Sequence, residues 1–362
     1  MNYKRITIKV GSNVLTRPDG TLDVTRVSSL VDQISRLRKN GIEVILVSSG
    51  AVACGRGELS HVDTHRLDDV DRRQLFSAVG QVKLINKYSD FFRDYGINVG
   101  QVLTMKENFS TREHYLNQRN CMMVMVENGI LPIVNENDTV SLTELMFTDN
   151  DELSGLIASM LDCDALVILS NIDGIYDGDP KEPSSKVIRS VEADKDLSEY
   201  IRVERSGFGR GGMVTKYNIA RKVAGEGIEV VIANGKRDNI LVDLILDSDA
   251  CNVPATRFMP NSNGTAGIKR WLAHSDSFAK GRIVIDAKAV DVITSDRAVS
   301  LLPVGVVEVS GQFEKDDLIN IYSADGKRIA IGRTSYSSDE AIKSMGRHDM
   351  RPIVHYDYLY IL

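Results

Sequence analysis

Ile6-Thr7-Ile8-Lys9-Val10-Gly11-Ser12-Asn13 is the stretch on which the fold turns. Its β-branched run reads as a buried strand, and Gly11 ends that strand where polar side chains begin. The same unit recurs along the chain. Val27, Leu30, Val31, Ile34 and Leu37 follow at helical spacing and Gly41 stops that helix. A strand over 43–47 comes next, then an amphipathic helix marked by Leu75, Val79, Val82 and Ile85. Further strands are read at 99–103, 130–134, 165–169 and 229–232, with helices between most of them. Such alternation predicts an α/β fold, a three-layer αβα sandwich around a mostly parallel sheet.

In sheets of this kind ligands sit beyond the carboxyl ends of the strands. The polar clusters fall there: Gly11-Ser12-Asn13, Ser48-Ser49-Gly50, Asn135-Glu136-Asn137-Asp138 and Ser170-Asn171. Lys9 interrupts an apolar strand and either reaches into the ligand crevice or is an exposed edge residue. Ser49 opens a small-residue segment, as an anion contact or as an ordinary helix cap. The burst from Asn135 to Asp138 can clamp an ammonium and a carboxylate together, or form a plain Asx-rich turn. Asp149 with Glu152 reads as a capping box; the same helix start could aim Asn150 at a substrate and let Asp151 orient two lysines.

Gly207-Phe208-Gly209-Arg210-Gly211-Gly212-Met213-Val214-Thr215-Lys216 reads as a phosphate loop or as a flexible connector. Glycines let the backbone approach a ligand, and the helix start behind them adds unpaired amides and a positive dipole end. The residues before it are polar rather than a strand, which removes the dinucleotide reading. Met213 after Gly212 removes a Walker A loop. Lys216 supplies a cation one turn into the helix. Two ammonium groups, Lys9 and Lys216, converging on one crevice suit phosphoryl transfer.

Composition narrows the alternatives. A chain of 362 residues with net charge −6 has room for two domains and no polyelectrolyte character, so no broad nucleic-acid surface is expected. Four scattered cysteines without a C-x-x-C pair argue against a disulfide framework or zinc site and point to the cytoplasm. His61 and His65 are four apart and could share a helix face, but no acidic partner is patterned with them, so no metal site is assigned. No segment is apolar enough to span a membrane. The texture changes near residue 255, and short strands at 281–285, 305–309, 318–322, 328–333 and 358–362 read as a small barrel-like β domain. The expected division is 1–255 for the α/β domain, 256–277 for a linker and 278–362 for the β domain.

Taken together, Ile8-Lys9-Val10-Gly11-Ser12, Val47-Ser48-Ser49-Gly50-Ala51, Asn135 to Asp138, Asp149-Asn150-Asp151 and Gly211 to Lys216 resemble the amino-acid kinase family, and residues 278–358 resemble a PUA domain. Within the family the match is to members that phosphorylate the side-chain carboxylate of L-glutamate with ATP and Mg²⁺, the first step of proline biosynthesis. That resemblance implies that Lys9 and Lys216 touch the phosphates and Asp151 orients them. It implies that Ser49, Asp138 and Asn150 contact glutamate, and that Ser170, Asn171 and the stretch Arg210, Gly211, Gly212, Met213, Val214, Thr215, Lys216 line the nucleotide site. A dimer or tetramer and feedback inhibition by proline are implied in the same way. Ser48, Asn171 and Arg210 stand where the family more often has Thr, Asp and Thr. Kinases of acetylglutamate, aspartate or uridylate, and an RNA-binding PUA protein, are the competing readings. Residues 278–362 carry 11 Lys and Arg against 12 Asp and Glu, which gives the RNA reading no basic footprint.

Overall fold

Residue alternation along the first strand, β1 (Arg5–Val10), already separates two layers. Ile6, Ile8 and Val10 are fully buried in one apolar cluster, with residues of α1 (Ser12–Leu15), α2 (Val24–Lys39), α3 (Ala51–Glu58) and α4 (Asp69–Arg93). Thr7 and Lys9 point to the opposite face, as a period of two requires. Thr7 Oγ1 lies 3.3 Å from Cys163 Sγ there, and Lys9 meets α6 (Asn150–Met160), the helix that follows α5 (Arg112–Glu127) in the chain. The computed structural model describes residues 3–109, 111–140, 147, 149–192, 197, 212–247, 253–261, 272, 278–295 and 299–362.

The large sheet adds β2 (Glu43–Ser48), β3 (Val99–Thr104), β4 (Leu131–Glu136), β5 (Ala165–Ser170), β6 (Ser190–Val191), β7 (Glu229–Asn234) and β8 (Ala255–Phe258). Their spatial order is β3-β4-β2-β1-β5-β7-β8-β6. The pairs from β3 to β7 are parallel and β8 runs antiparallel to β7. β1 therefore sits centrally, between β2 and β5, with Lys9 opposite Val47 and Ile168. This is the mostly parallel α/β sheet expected.

Several strands run one or two residues past their apolar runs. Ser48 pairs with Val10, Thr104 with Glu136, and Ser170 with Asn234. The polar residues at the strand tips are thus fixed by the ladder rather than carried on loose turns. Asn135 and Glu136 belong to β4 itself, not to a turn after it, because each buried side chain finds a partner there.

α4 forms where the spacing placed it, but its buried stripe is different. Phe76, Gly80, Leu84, Tyr88 and Phe92 face inward, whereas Val82 is 60% exposed. Close approach of α3 decides this. A Cβ on Gly80 would lie 1.8 Å from Ala51 O, and one on Gly55 would lie 1.9 Å from Phe76 O. Only glycines allow the two helices to touch backbone to backbone.

The chain divides into two compact units between residues 264 and 265. β8 keeps the larger sheet going through Phe258, past the change in texture near 255, because Thr256 pairs with Ile232. The smaller unit is a mixed five-stranded sheet: β9 (Gly281–Ile285), β10 (Val306–Ser310), β11 (Leu318–Ser323), β12 (Arg328–Thr334) and β13 (Val354–Ile361), in the order β10-β9-β11-β12-β13. β11 and β12 form an antiparallel hairpin turning through Asp325-Gly326, where Gly326 takes φ +84°. Its own core contains Ile283, Ile285, Ile319, Ile321, Ala330 and Val354. Among the described residues no helix is long and apolar enough to cross a membrane.

Candidate active site

Asp151 lies in the first turn of α6, fully buried, and gathers both expected cations. Lys9 Nζ from β1 contacts its Oδ1, and Lys216 Nζ from α7 (Met213–Gly225) lies 2.9 Å from its Oδ2. Lys9 and Lys216 are themselves only 5% and 8% exposed, so this is a desolvated triad with one negative and two positive charges. Burial alone would raise the Asp151 pKa; the two ammonium groups outweigh it and hold the carboxyl at about 2. The Asp151 carboxylate is therefore ionised at neutral pH between two lysines whose side chains are held dry, a setting suited to steering the charge of a phosphate.

Asp149 caps α6 by accepting the amides of Asp151 at 2.7 Å and Glu152 at 3.2 Å, all through Oδ1. The Glu152 side chain instead meets Lys106 at 3.3 Å. Burial and the neighbouring Asp151 charge push the Asp149 carboxyl up to about 6. Its Oδ2 is buried without a hydrogen-bond partner among the described residues.

A cavity of about 240 Å³ opens beside this triad, lined by Ser49, Asn150, Asn135, Asp138, Glu136 and Arg73 among others. Asn150 Nδ2 donates to Ser49 Oγ at 2.9 Å and to Asn135 Oδ1 at 3.0 Å. Asn135 Nδ2 donates in turn to Gln81 Oε1 of α4 at 2.8 Å. Three strand or helix tips are thus tied into one polar wall. Arg73 of α4 contacts Asp138 Oδ1 and lies 3.7 Å from Glu136 Oε2.

Glu136 accepts the amide of buried Phe147 at 2.8 Å. Burial and the Asp138 charge still push its carboxyl up to about 7, against the pull of Arg73. Asp138 is raised as well, by burial, with Arg73 opposing. A folded pKa above the ordinary 4.5 means the folded chain keeps a proton the unfolded chain releases. The stabilising contribution of Glu136 is complete at low pH and is lost as pH rises through about 7.

On the other side of the triad, Ser170 ends β5 next to the β7 tip, and its hydroxyl donates to Asn171 Oδ1 at 3.4 Å. Gly212 precedes α7 without a side-chain cap, leaving the first amides of that helix unpaired by side chains. Met213, Val214 and Thr215 form its first turn. Arg210 and Gly211 lie outside the described residues. Lys9, Asp151 and Lys216 are brought together, and Ser49, Asp138 and Asn150 share one cavity. Sequence reasoning missed Arg73 and Gln81, which carry no local motif. The only signal was indirect: two carboxylates at one strand tip require a cation from elsewhere.

The sequence pattern of the Amino acid kinase family matches residues 4–234, which include the triad and the cavity. The chain belongs to the amino acid kinase family. The PUA domain pattern matches residues 281–356 of the smaller unit. Full-length relatives of this amino acid kinase are curated as Glutamate 5-kinase. The one from Bacteroides thetaiotaomicron is 61% identical over 359 residues, 99% of each chain. That of Chlorobaculum tepidum is 46% identical over 362 residues, covering 99% of this chain and 98% of the relative. A third, from Dehalococcoides mccartyi, is 39% identical over 351 residues, covering 96% and 92%.

Proposed function

We propose that this amino acid kinase transfers the γ-phosphoryl group of ATP to the side-chain carboxylate of L-glutamate, giving L-glutamyl 5-phosphate and ADP. The observation that carries the reading is the meeting of Lys9 and Lys216 on buried Asp151 beside a cavity of amino-acid size. Curated relatives named Glutamate 5-kinase over essentially the whole chain support it, and with it a place in proline biosynthesis. The cavity is too small for a nucleoside triphosphate, since pockets for drug-sized ligands begin at roughly 300 Å³. It suits the acceptor, and the α7 start with Ser170 and Asn171 suits the donor.

A glutamate carboxylate has a reference pKa of about 4.3 and is already a nucleophile at neutral pH. A carboxylate oxygen forms a bond to the γ-phosphorus while the bond from that phosphorus to the β,γ-bridging oxygen breaks, and ADP departs with the electron pair. No proton is transferred. The obstacle is repulsion between the acceptor and the phosphates, and Lys9 and Lys216 answer it by charge and alignment. Asp151 keeps the two ammonium groups apart at a fixed spacing. In the acceptor cavity, Asp138 suits the α-ammonium, and Ser49 with Asn150 suits the polar atoms of the side chain. Arg210 and Gly211 to Lys216 are assigned to the phosphates.

Mg²⁺ fits this site as an ion held by phosphate oxygens and water, because no group of three or more acidic, His or Cys ligands occurs among the described residues. The buried, unpartnered Asp149 Oδ2 is the protein oxygen available to it. Bound there, the ion supplies further neutralisation of the β- and γ-phosphate charge. We place the reaction in the cytoplasm and assign a homo-oligomer, dimer or tetramer. Proline, which shares the α-carboxylate and amine of glutamate, is assigned as feedback inhibitor.

Comparing turnover of glutamate, N-acetylglutamate, aspartate and UMP tests the acceptor. Preference for any but glutamate overturns the assignment. Asp138→Ala is expected to raise the glutamate KM at least tenfold with a smaller change in kcat, since a lost charge-assisted contact is worth about 1.5–3 kcal/mol. An unchanged KM removes Asp138 from the acceptor cavity. The raised carboxyl of Glu136 adds a pH signature. Below about pH 7 it becomes neutral and leaves Asp138 to balance Arg73 without it, less able to take an ammonium. kcat/KM for glutamate should therefore decline as pH falls through that value, and Glu136→Gln should remove the inflection. A wild-type profile flat from pH 8 to pH 6 contradicts this role.

A further inference from the structure

An acceptor bound with its γ-carboxylate toward Lys9 and Lys216 carries a second carboxylate on its α-carbon, and that anion needs a cation in the cavity wall. Two arginines line the cavity, Arg56 of α3 and Arg73 of α4. Arg73 is already shared between Asp138 and Glu136, so a third carboxylate there would crowd three anions around one guanidinium. Arg56 has no hydrogen-bond or carboxylate partner among the described residues.

Space for its guanidinium is left by Gly20, which lines the same cavity beside it. A Cβ on Gly20 would lie 2.8 Å from Arg56 Nη1, so any larger residue there would push the guanidinium away. Gly20 also has φ +80°, a left-handed conformation that other residues rarely adopt. The first turn of α3, Ala51 to Ala53, lines the same cavity, and its Gly50 cap offers no side-chain bond to the amides. Arg56 and the positive end of α3 thus border the same space as Asp138, which places a cation and an anion on the wall where the α-carbon substituents would lie.

We infer that Arg56 receives the α-carboxylate of the acceptor and sets the site's preference for amino acids in which that carboxylate is free. This rests on the acceptor reading proposed above. L-Glutamate and its α-amide, isoglutamine, share the ammonium and the γ-carboxylate and differ in charge only at the α-carboxyl. The test is the ratio of their kcat/KM values, from ADP release, in the wild type and in Arg56→Ala and Arg56→Gln. Where turnover of the amide is too slow, its inhibition constant against glutamate serves instead.

The wild type should prefer glutamate about ten- to a hundredfold, the worth of one charge-assisted hydrogen bond. Both variants should lose that factor for glutamate, mainly through KM, and leave the amide within about twofold, so that the preference collapses toward one. Arg56→Lys should retain part of it. A merely structural Arg56 would lower both acceptors together and preserve the ratio, which overturns the inference, as does an active wild type that does not distinguish the two. A wild type that releases no ADP with glutamate overturns the acceptor reading, and this inference with it.

Discussion

Lys216→Ala should lower kcat by on the order of 10²- to 10³-fold while the glutamate KM changes by less than about threefold. Lys216 is 8% exposed, and its ammonium meets Asp151 at 2.9 Å from the helix that follows the glycine-rich stretch of sequence. Its charge is fixed where negative charge moves during transfer, not where the amino acid is gripped. Removing it forfeits stabilisation realised in the transition state and leaves ground-state binding of the acceptor nearly intact. Steady-state kinetics at saturating ATP separates the two parameters. A variant that loses glutamate affinity with kcat preserved would move Lys216 out of the transfer centre and into the acceptor cavity.

Asp151→Asn should have the broadest effect of any single substitution. The amide keeps the shape but leaves two buried ammonium groups facing each other without the carboxylate that both contact. Breaking a buried ion pair from one side costs about 3–5 kcal/mol, so thermal unfolding of the larger unit should move down by several degrees. kcat should fall by at least about 10²-fold, since displaced lysines no longer align the phosphates. Adding Lys216→Ala to Asp151→Asn should cost little more activity and should recover part of the stability, because one uncompensated charge is gone. If Asp151→Asn melts and turns over like the wild type, the triad is an incidental contact.

The sheet was legible because β-branched runs alternate with helical spacing, and that pattern follows directly from backbone periodicity. The strand tips were less so. Asn135 and Glu136 suit an Asx-rich turn by propensity, yet ladder pairing and side-chain partners hold them in β4. Of the residues that marked α4, Ile85 packs against the core but Val82 is exposed, because Gly80 is drawn against Ala51, and no hydrophobicity pattern reports a backbone-to-backbone contact. Lys9 and Asp151 were legible as polar residues at the boundaries of apolar elements. Arg56 and Arg73 were not, since a charged residue on a helix reads as solvated until the fold supplies its neighbours.

The Lys9–Asp151–Lys216 cluster is assigned the transfer of a phosphoryl group to a carboxylate. Hydroxylamine traps an acyl phosphate as its hydroxamate and ignores phosphate esters. Incubated with ATP, Mg²⁺ and glutamate, the protein should form γ-glutamyl hydroxamate in step with ADP, and Lys9→Ala or Lys216→Ala should cut both together by at least about a hundredfold. ADP released with glutamate but without hydroxamate, or hydroxamate formed undiminished by either lysine variant, would contradict it.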